Sequence, residues 1–418
     1  MRILAFWVSI LLVFTIPWEN ALTVGSLGTL TRVIGLASAG FWLLSVLLRG
    51  RLRKLHPFHI VIFLFVLWNT LSMLWSVAPD QTMVRIKTYA QLAMMCWMFW
   101  DLYKTPKELN VALQAYILGS FVTIASTINN YRTGQTINVY DVRYAGANLN
   151  AVEMAIILIL GIPIAWSLAN FLSKSWLSYL LKVTNLIFIP LAVFAIFLTA
   201  TRTALFAILP AVLYILGTSN RIKLGWRILI FIVLIVGVVV LLPFIPQASL
   251  DRLATVGSSI SAGDLGGRVR LWIESVAIFL KEPLLGVGSG ALGSDFELGS
   301  YAHNTFLSIL AELGILGFIL FVVLLTIVLY EAVRQPKKNS ILWLAVLAIW
   351  IAGTFSLTWE YTKQTWLILN WVVISANLMN PLRSGVVENQ GNSPKPAVLA
   401  DPSAQPKETY AQGLLSKS

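Results

Sequence analysis

Long apolar stretches follow one another along nearly the whole chain, separated by short polar breaks. A helix needs about 20 mostly apolar residues to cross a bilayer. Only 11% of the residues are charged and the mean hydropathy is +0.80, whereas a soluble domain is about 25% charged. A soluble enzyme is therefore excluded, and we predict an all-α polytopic membrane protein with twelve spans, at residues 3–17, 27–48, 58–75, 84–103, 109–128, 151–172, 183–199, 203–217, 228–245, 304–330, 341–357 and 365–379.

The basic residues are distributed unevenly between the two sets of connections. If the N-terminus is cytoplasmic, nineteen of the 30 Lys and Arg residues and six of the 18 acidic residues lie on the cytoplasmic side, a net charge of +13 against −1 elsewhere. Cytoplasmic loops of membrane proteins are enriched in Lys and Arg. The excess therefore predicts that both termini are cytoplasmic, and nucleic-acid binding is not needed to explain the overall charge of +12.

Two outer loops, 129–150 and 246–303, are long enough to build a site, since long loops in compact domains are usually functional or disordered. Within the second, residues 268–281 place Trp272, Val276 and Phe279 at helical spacing, which predicts an amphipathic helix at the membrane surface. We expect a transmembrane domain at 1–383. The polar segment 384–418, rich in Pro, Ser and Gln, is expected to be a disordered cytoplasmic tail.

Three arginines lie beside these loops. Arg202, in the sequence TATRTA, is either a snorkelling side chain at a helix end or a guanidinium that grips an anionic group. Arg268 and Arg270 follow a glycine pair. Residues two positions apart in a helix point about 200° away from each other around its axis, so these arginines cannot share a face. We expect one of them to face a cavity and the other to face the lipid headgroups.

His303 is the only histidine outside the predicted cytoplasmic side. Imidazole is the side chain best suited to move a proton near neutral pH, although a histidine at this place could also cap a helix. Glu312 is nine residues further along and falls on the opposite helix face. We therefore expect Glu312 to pair with a polar group of the bundle, near Gly314 and Gly317, which allow close helix approach.

The sequence gives little indication of a nucleotide site or a metal site. The sequence GVGSG at 286–290 has no preceding strand and no following Lys-Ser or Lys-Thr pair, so we predict a turn and no nucleotide site. Asp295 and Glu297 lie near His303, but a second histidine at helical spacing is missing. Catalytic zinc is therefore a poor match, while a magnesium site stays an alternative.

The blocks TATRTA, GRVRLW followed by PLLGVG, and HNTFLSILAELGILG resemble the bacterial O-antigen ligase and polymerase superfamily, and the last block is the most specific. The similarity extends from about Leu71 to Gly317. The chain most resembles the O-antigen ligases of lipopolysaccharide assembly. The resemblance implies transfer of a glycan from undecaprenyl pyrophosphate to a sugar of the lipid A-core, on the periplasmic face of the inner membrane.

The resemblance also assigns residues. Arg202 and Arg268 match the family's essential arginines, His303 matches its essential histidine, and Asn150 in GANLNA fits a weaker family asparagine. Arg270 is an additional arginine beside the pattern, so either arginine of the pair could contact pyrophosphate. We add three residues on chemical grounds, with Arg143 as a further anion ligand and Asn304 and Glu312 as supporting residues.

Arginines in a partly dry pocket can stabilise a departing pyrophosphate without metal, and His303 can take a proton from the acceptor. We therefore expect an inverting transfer that uses no metal and no cofactor. Two alternatives stay open. A polymerase or a protein O-oligosaccharyltransferase of the same superfamily would differ in its acceptor. A transporter of lipid-linked glycans would place its polar residues near the membrane midplane, whereas here they gather at the outer edge.

Overall fold

The computed structural model describes residues 1–137, 142–171, 175–220, 223–255, 268–293 and 301–379. The tail at 384–418, for which we expect disorder, lies outside these ranges. The acidic residues Asp295 and Glu297 also lie outside them. The described chain is helical and contains no strand. Its helices are α1 Arg2–Thr15, α2 Leu30–Arg49, α3 Pro57–Leu71, α4 Pro79–Leu102, α5 Pro106–Arg132, α6 Ala151–Phe171, α7 Trp176–Leu198, α8 Arg202–Ala207, α9 Leu209–Ser219, α10 Leu224–Leu241, α11 Gln247–Ala254, α12 Arg268–Lys281, α13 Thr305–Val333, α14 Lys337–Thr354 and α15 Lys363–Met379.

The predicted all-α membrane fold is confirmed. Eight helical segments of the described chain are long and apolar enough to cross a bilayer, and each coincides with a predicted span; Arg2–Trp18 is apolar but shorter. The three other predicted stretches form α4, α14 and α15 and are not among the eight. The 17-residue α15 is buried from Gln364 to Asn377, so protein surrounds it and its polar side chains need not face lipid.

Helix α6 lies at the centre of the bundle, where 94% of its apolar window is buried. It packs against α5, α7, α8, α9 and α14. The most apolar span, Arg227–Phe244, has none of its apolar stretch buried and packs against α7, so it lies at the periphery.

Contacts among the described residues group the connections at two ends. The loops at 50–56, 103–105 and 334–336 meet at the end that we name the basic end. There Arg53 donates to the carbonyl of Trp100 at 2.7 Å, and its guanidinium lies 3.8 Å from the centre of that indole ring. His56 contacts Glu331 at 3.3 Å. The loops at 72–78, 142–150, 199–201 and 355–362 meet at the opposite end, which we name the site end.

Helix α13 is interrupted at Gly314, whose φ of 64° lies in the left-handed region. The turn at 286–290 fills the interruption, because Val287 and Gly288 donate their N–H groups to the carbonyls of Ala311 and Glu312 at 3.0 and 2.9 Å. These bonds replace the helical ones that the break removes. The predicted turn is confirmed. The close approach at Gly314 is made by loop backbone, however, since an added Cβ would lie 2.3 Å from the carbonyl oxygen of Leu284.

Candidate functional site

Arg202 begins α8 directly after the tight turn at 199–201. Arg143, from the loop before α6, lies on the same turn and donates to the carbonyl of Thr199 at 2.9 Å and to the hydroxyl of Thr201 at 3.2 Å. Arg202 is half-buried and donates to the carbonyl of Arg252 and the hydroxyl of Thr255, at 3.3 and 2.6 Å. Two predicted anion ligands therefore flank one turn at the site end.

Arg268 reaches the same place from the start of α12. Its Nη1 donates to the hydroxyl of Ser356 at 3.1 Å, and the hydroxyl of Thr203 lies 2.9 Å from that same oxygen. Ser356 thus joins Arg268 to the residue next to Arg202. Burial lowers the pKa of Arg268, and the nearby positive charge of Arg252 adds to this effect. A half-buried guanidinium next to another cation is well placed to gain from binding an anion.

Arg270 points away from this cluster. Its side chain is 77% exposed and forms an ion pair with Glu274 at 2.7 Å. The bounds predicted for the amphipathic helix agree with α12. Ser275 and Ile278 are buried in the protein, whereas Val276 is 40% exposed. The residues of α12 that protein covers are set by its contact with α13.

His303 immediately precedes α13 and has a φ of 46°. It is half-buried, and burial lowers its pKa, as does the positive charge of Arg268 to a smaller extent. A lowered pKa keeps the imidazole neutral and able to accept a proton near neutral pH. The helix cap is the neighbouring Asn304, whose Oδ1 accepts the N–H groups of Phe306 and Leu307 at 3.0 and 3.2 Å.

Within the described ranges, the non-glycine residues with positive φ are Ala147, Asn148, Ala200 and His303. All four lie in the loops of the site end. Such backbone conformations cost about 1–3 kcal/mol each and persist only where the surrounding structure enforces them, often at functional sites. The strain therefore marks the same three loops that carry Arg143, Arg202 and His303.

Residues 186–322 match the family model described as O-Antigen ligase (Wzy_C). Over this segment, about a third of its length, the chain is similar to the O-antigen ligase family. The matched segment includes Arg202, Arg268 and His303, and it begins within α7 and ends within α13. A search of curated proteins found no match.

Two other predicted site residues, Asn150 and Glu312, have mainly structural contacts. Asn150 is exposed, and its Oδ1 accepts the N–H of Val152 at 2.8 Å, so it caps α6. Glu312 is 3% exposed, and its Oε2 accepts the N–H of Gly290 at 2.7 Å. Glu312 thus pairs with a polar group of the bundle, as predicted.

Sequence reasoning missed four residues at the site end: Ser356, Arg252, Arg85 and Glu360. Nothing in the sequence marks Ser356 and Arg252 as site residues, because the residues that they contact lie far away along the chain. Arg85 carried a signal, since a charged residue inside a predicted span indicates a functional position. Glu360 lies in the 355–362 loop, where burial and the nearby charge of Glu312 raise its pKa to about 8.

The chemistry that the described site can supply is cationic and basic. Arg143, Arg202 and Arg268 provide guanidinium donors, and His303 provides a neutral imidazole. No group of three or more His, Cys, Asp or Glu side chains that could hold a metal ion occurs within the described ranges. The arrangement is suited to binding an anion while a proton is removed nearby.

Proposed function

We propose that the protein transfers an O-antigen glycan from undecaprenyl pyrophosphate to the lipid A-core oligosaccharide. The observation that carries the proposal is the meeting of two arginines with a half-buried histidine. Arg268 is joined to the turn of Arg202 through Ser356 and is close enough to His303 to lower its pKa. A lipid-linked pyrophosphate needs charge stabilisation as it departs, and a sugar hydroxyl needs a base.

The proposed reaction is a single displacement. The neutral imidazole of His303 takes the proton of the acceptor hydroxyl, and that oxygen attacks the anomeric carbon of the glycan. The bond from this carbon to the pyrophosphate oxygen breaks, and its electron pair stays on the departing undecaprenyl pyrophosphate. Arg202 and Arg268 stabilise the charge that develops there, with Arg143 beside them. One displacement inverts the anomeric configuration, and His303 then releases its proton to water.

We also propose that the protein works in the bacterial inner membrane. The positive-inside rule favours the cytoplasm for the basic end, which directs the site end to the periplasm. Transfer would then occur where the carrier lipid presents its glycan and the lipid A-core presents its acceptor sugar.

The decisive test is reconstitution of the purified protein in liposomes with a defined undecaprenyl pyrophosphate-linked glycan. Three acceptors are compared: lipid A-core, a second lipid-linked glycan and a protein acceptor. We expect glycosylated lipid A-core and inverted configuration at the new linkage. Chain extension of the lipid-linked glycan would instead identify a polymerase, modification of the protein an oligosaccharyltransferase, and movement of intact donor across the bilayer without transfer a transporter.

A cellular test is independent of purification. Cells that lack a ligase should accumulate carrier-linked polymer and make lipid A-core without O-antigen. Cells that lack a polymerase should still attach single units to the core. The second phenotype would contradict the proposed ligase activity.

A further inference from the structure

A buried charged cluster lies beneath the site end and takes no direct part in the proposed reaction. Its centre is Arg85 of α4, which is 8% exposed, and its guanidinium lies 3.5 Å from the centre of the Tyr361 ring. The carboxylates of Glu312 and Glu360 both act on Arg85 electrostatically, and these side chains are 3% and 1% exposed. Ionisable side chains are seldom buried this deeply without a partner.

Each carboxylate is attached to a different segment of the site end. Glu312 accepts the N–H of Gly290 at 2.7 Å, in the 282–293 segment that follows α12. Glu360 belongs to the 355–362 loop and accepts the hydroxyl of Ser308 at 3.0 Å. Arg85 also packs directly on the first segment, because an added Cβ at Gly290 would lie 3.3 Å from its Nε.

The second oxygen of each carboxylate, Oε1 of Glu312 and Oε2 of Glu360, is buried and has no hydrogen-bond partner among the described residues. Hydrogen bonds to the described residues therefore leave one oxygen of each carboxyl group unsatisfied, while the positive charge of Arg85 acts on both groups. Arg85 itself touches both regions, at the Tyr361 ring of the 355–362 loop and at Gly290 of the 282–293 segment.

Both segments are connected to Arg268. The 355–362 loop carries Ser356, which accepts the Arg268 hydrogen bond. The 282–293 segment continues from the C-terminal end of α12, whose first residue is Arg268. We propose that Arg85 is a positioning residue of the transfer site, which fixes the Ser356–Arg268 contact by packing against both Gly290 of the 282–293 segment and Tyr361 of the 355–362 loop. This inference rests on the proposed function for its kinetic consequences only.

The test is a double-substitution cycle of Arg85→Lys with Ser356→Ala, measured as glycan transfer per folded molecule. Lysine keeps the positive charge that acts on Glu312 and Glu360, but it lacks the planar group that stacks on Tyr361. We expect Arg85→Lys to lower kcat by about tenfold in the natural background, and by less than about twofold when Ser356 is already alanine. If the losses simply multiply, Arg85 does not act through Ser356 and the proposal fails.

The chain offers a matched control in Arg53, a second arginine stacked on an aromatic ring but at the basic end. Arg53→Lys loses the same kind of contact far from the site. Its effect should combine multiplicatively with that of Ser356→Ala, and it should leave kcat within about twofold of the starting value.

Hydrogen exchange of backbone amides separates this proposal from the proposed function, because it requires no turnover. Arg85→Lys should speed exchange in 282–293 and 355–362 together, and Arg53→Lys should speed it in neither. Faster exchange in one segment only, or in neither, would overturn the inference even if the protein transfers glycan. An inactive natural protein with coupled exchange would instead refute the ligase proposal and leave the structural link supported. If Arg85→Lys does not fold, Arg85→Gln combined with Glu312→Gln removes two buried ionisable groups of opposite sign together and is measured in its place.

Discussion

Arg268 and Arg270 lie two residues apart on α12, and replacing each by alanine separates their roles. Arg268→Ala removes a half-buried guanidinium that donates to Ser356. Arg270→Ala removes a side chain that is 77% exposed and paired with Glu274 on the same helix. The substitutions have the same chemistry and the same local helix, so a difference between them reports on where the side chains lie.

The expected magnitudes differ widely. Removing one donor that stabilises a developing oxyanion costs about 10²–10³ in kcat, or about 2.7–4 kcal/mol, so Arg268→Ala should lose at least this much. Its cost in stability should be small, because the lost hydrogen bond to Ser356 is worth about 0.5–1.5 kcal/mol and the repulsion from Arg252 is relieved. An exposed ion pair such as that of Arg270 contributes about 0–1 kcal/mol to stability, and its loss should leave transfer within about twofold.

The assay compares initial rates of purified variants in liposomes that contain lipid-linked donor and acceptor, with thermal unfolding measured in parallel. Equal losses for both variants, or a larger loss for Arg270→Ala, would refute the assignment of Arg268 as the inward residue. Full activity of Arg268→Ala would remove this arginine from the transfer chemistry altogether.

Four further predictions follow from single contacts. On the acid side, kcat/KM should fall at a pH below 6.5, because the pKa of the base His303 is lowered from that value. In Arg268→Gln this pH should rise without reaching 6.5, since the burial of His303 persists, and a fall in this pH would contradict the reasoning. Asn304→Ala should lose about 0.5–2 kcal/mol of stability, whereas Asn304→Asp should keep most of it in thermal unfolding. Gly314→Ala should lower the free energy of unfolding by at least about 1–3 kcal/mol, because the φ of Gly314 is positive and the new Cβ would clash with a carbonyl oxygen. Gly217→Ala is the control, because its new Cβ would meet no atom within 4 Å. Transfer should survive EDTA; loss of activity that magnesium restores would show a metal requirement.

The helical layout of the chain could be read from the sequence, because each apolar stretch is a local property of consecutive residues. Transfer from water to lipid favours a helix wherever such a stretch is long enough. The same local character holds for α12, whose bounds were predicted correctly, and for the turn at 286–290. Burial by protein is not local in this way. Ile278 and Val276 of α12 are both apolar, and only the helix packed against α12 decides that Ile278 is buried and Val276 is exposed.

What the sequence by itself determined is the membrane fold, the distribution of basic residues and the short motifs that include Arg202, Arg268 and His303. Tertiary structure alone decided which arginine of the 268 and 270 pair faces inward, and it brought in Ser356, 88 positions from Arg268. It also placed Arg85 against both Tyr361 and Gly290. The physical reason is range: hydrophobic transfer acts on neighbouring residues, whereas charge pairing and hydrogen bonding act on whatever the packed helices bring within a few ångströms.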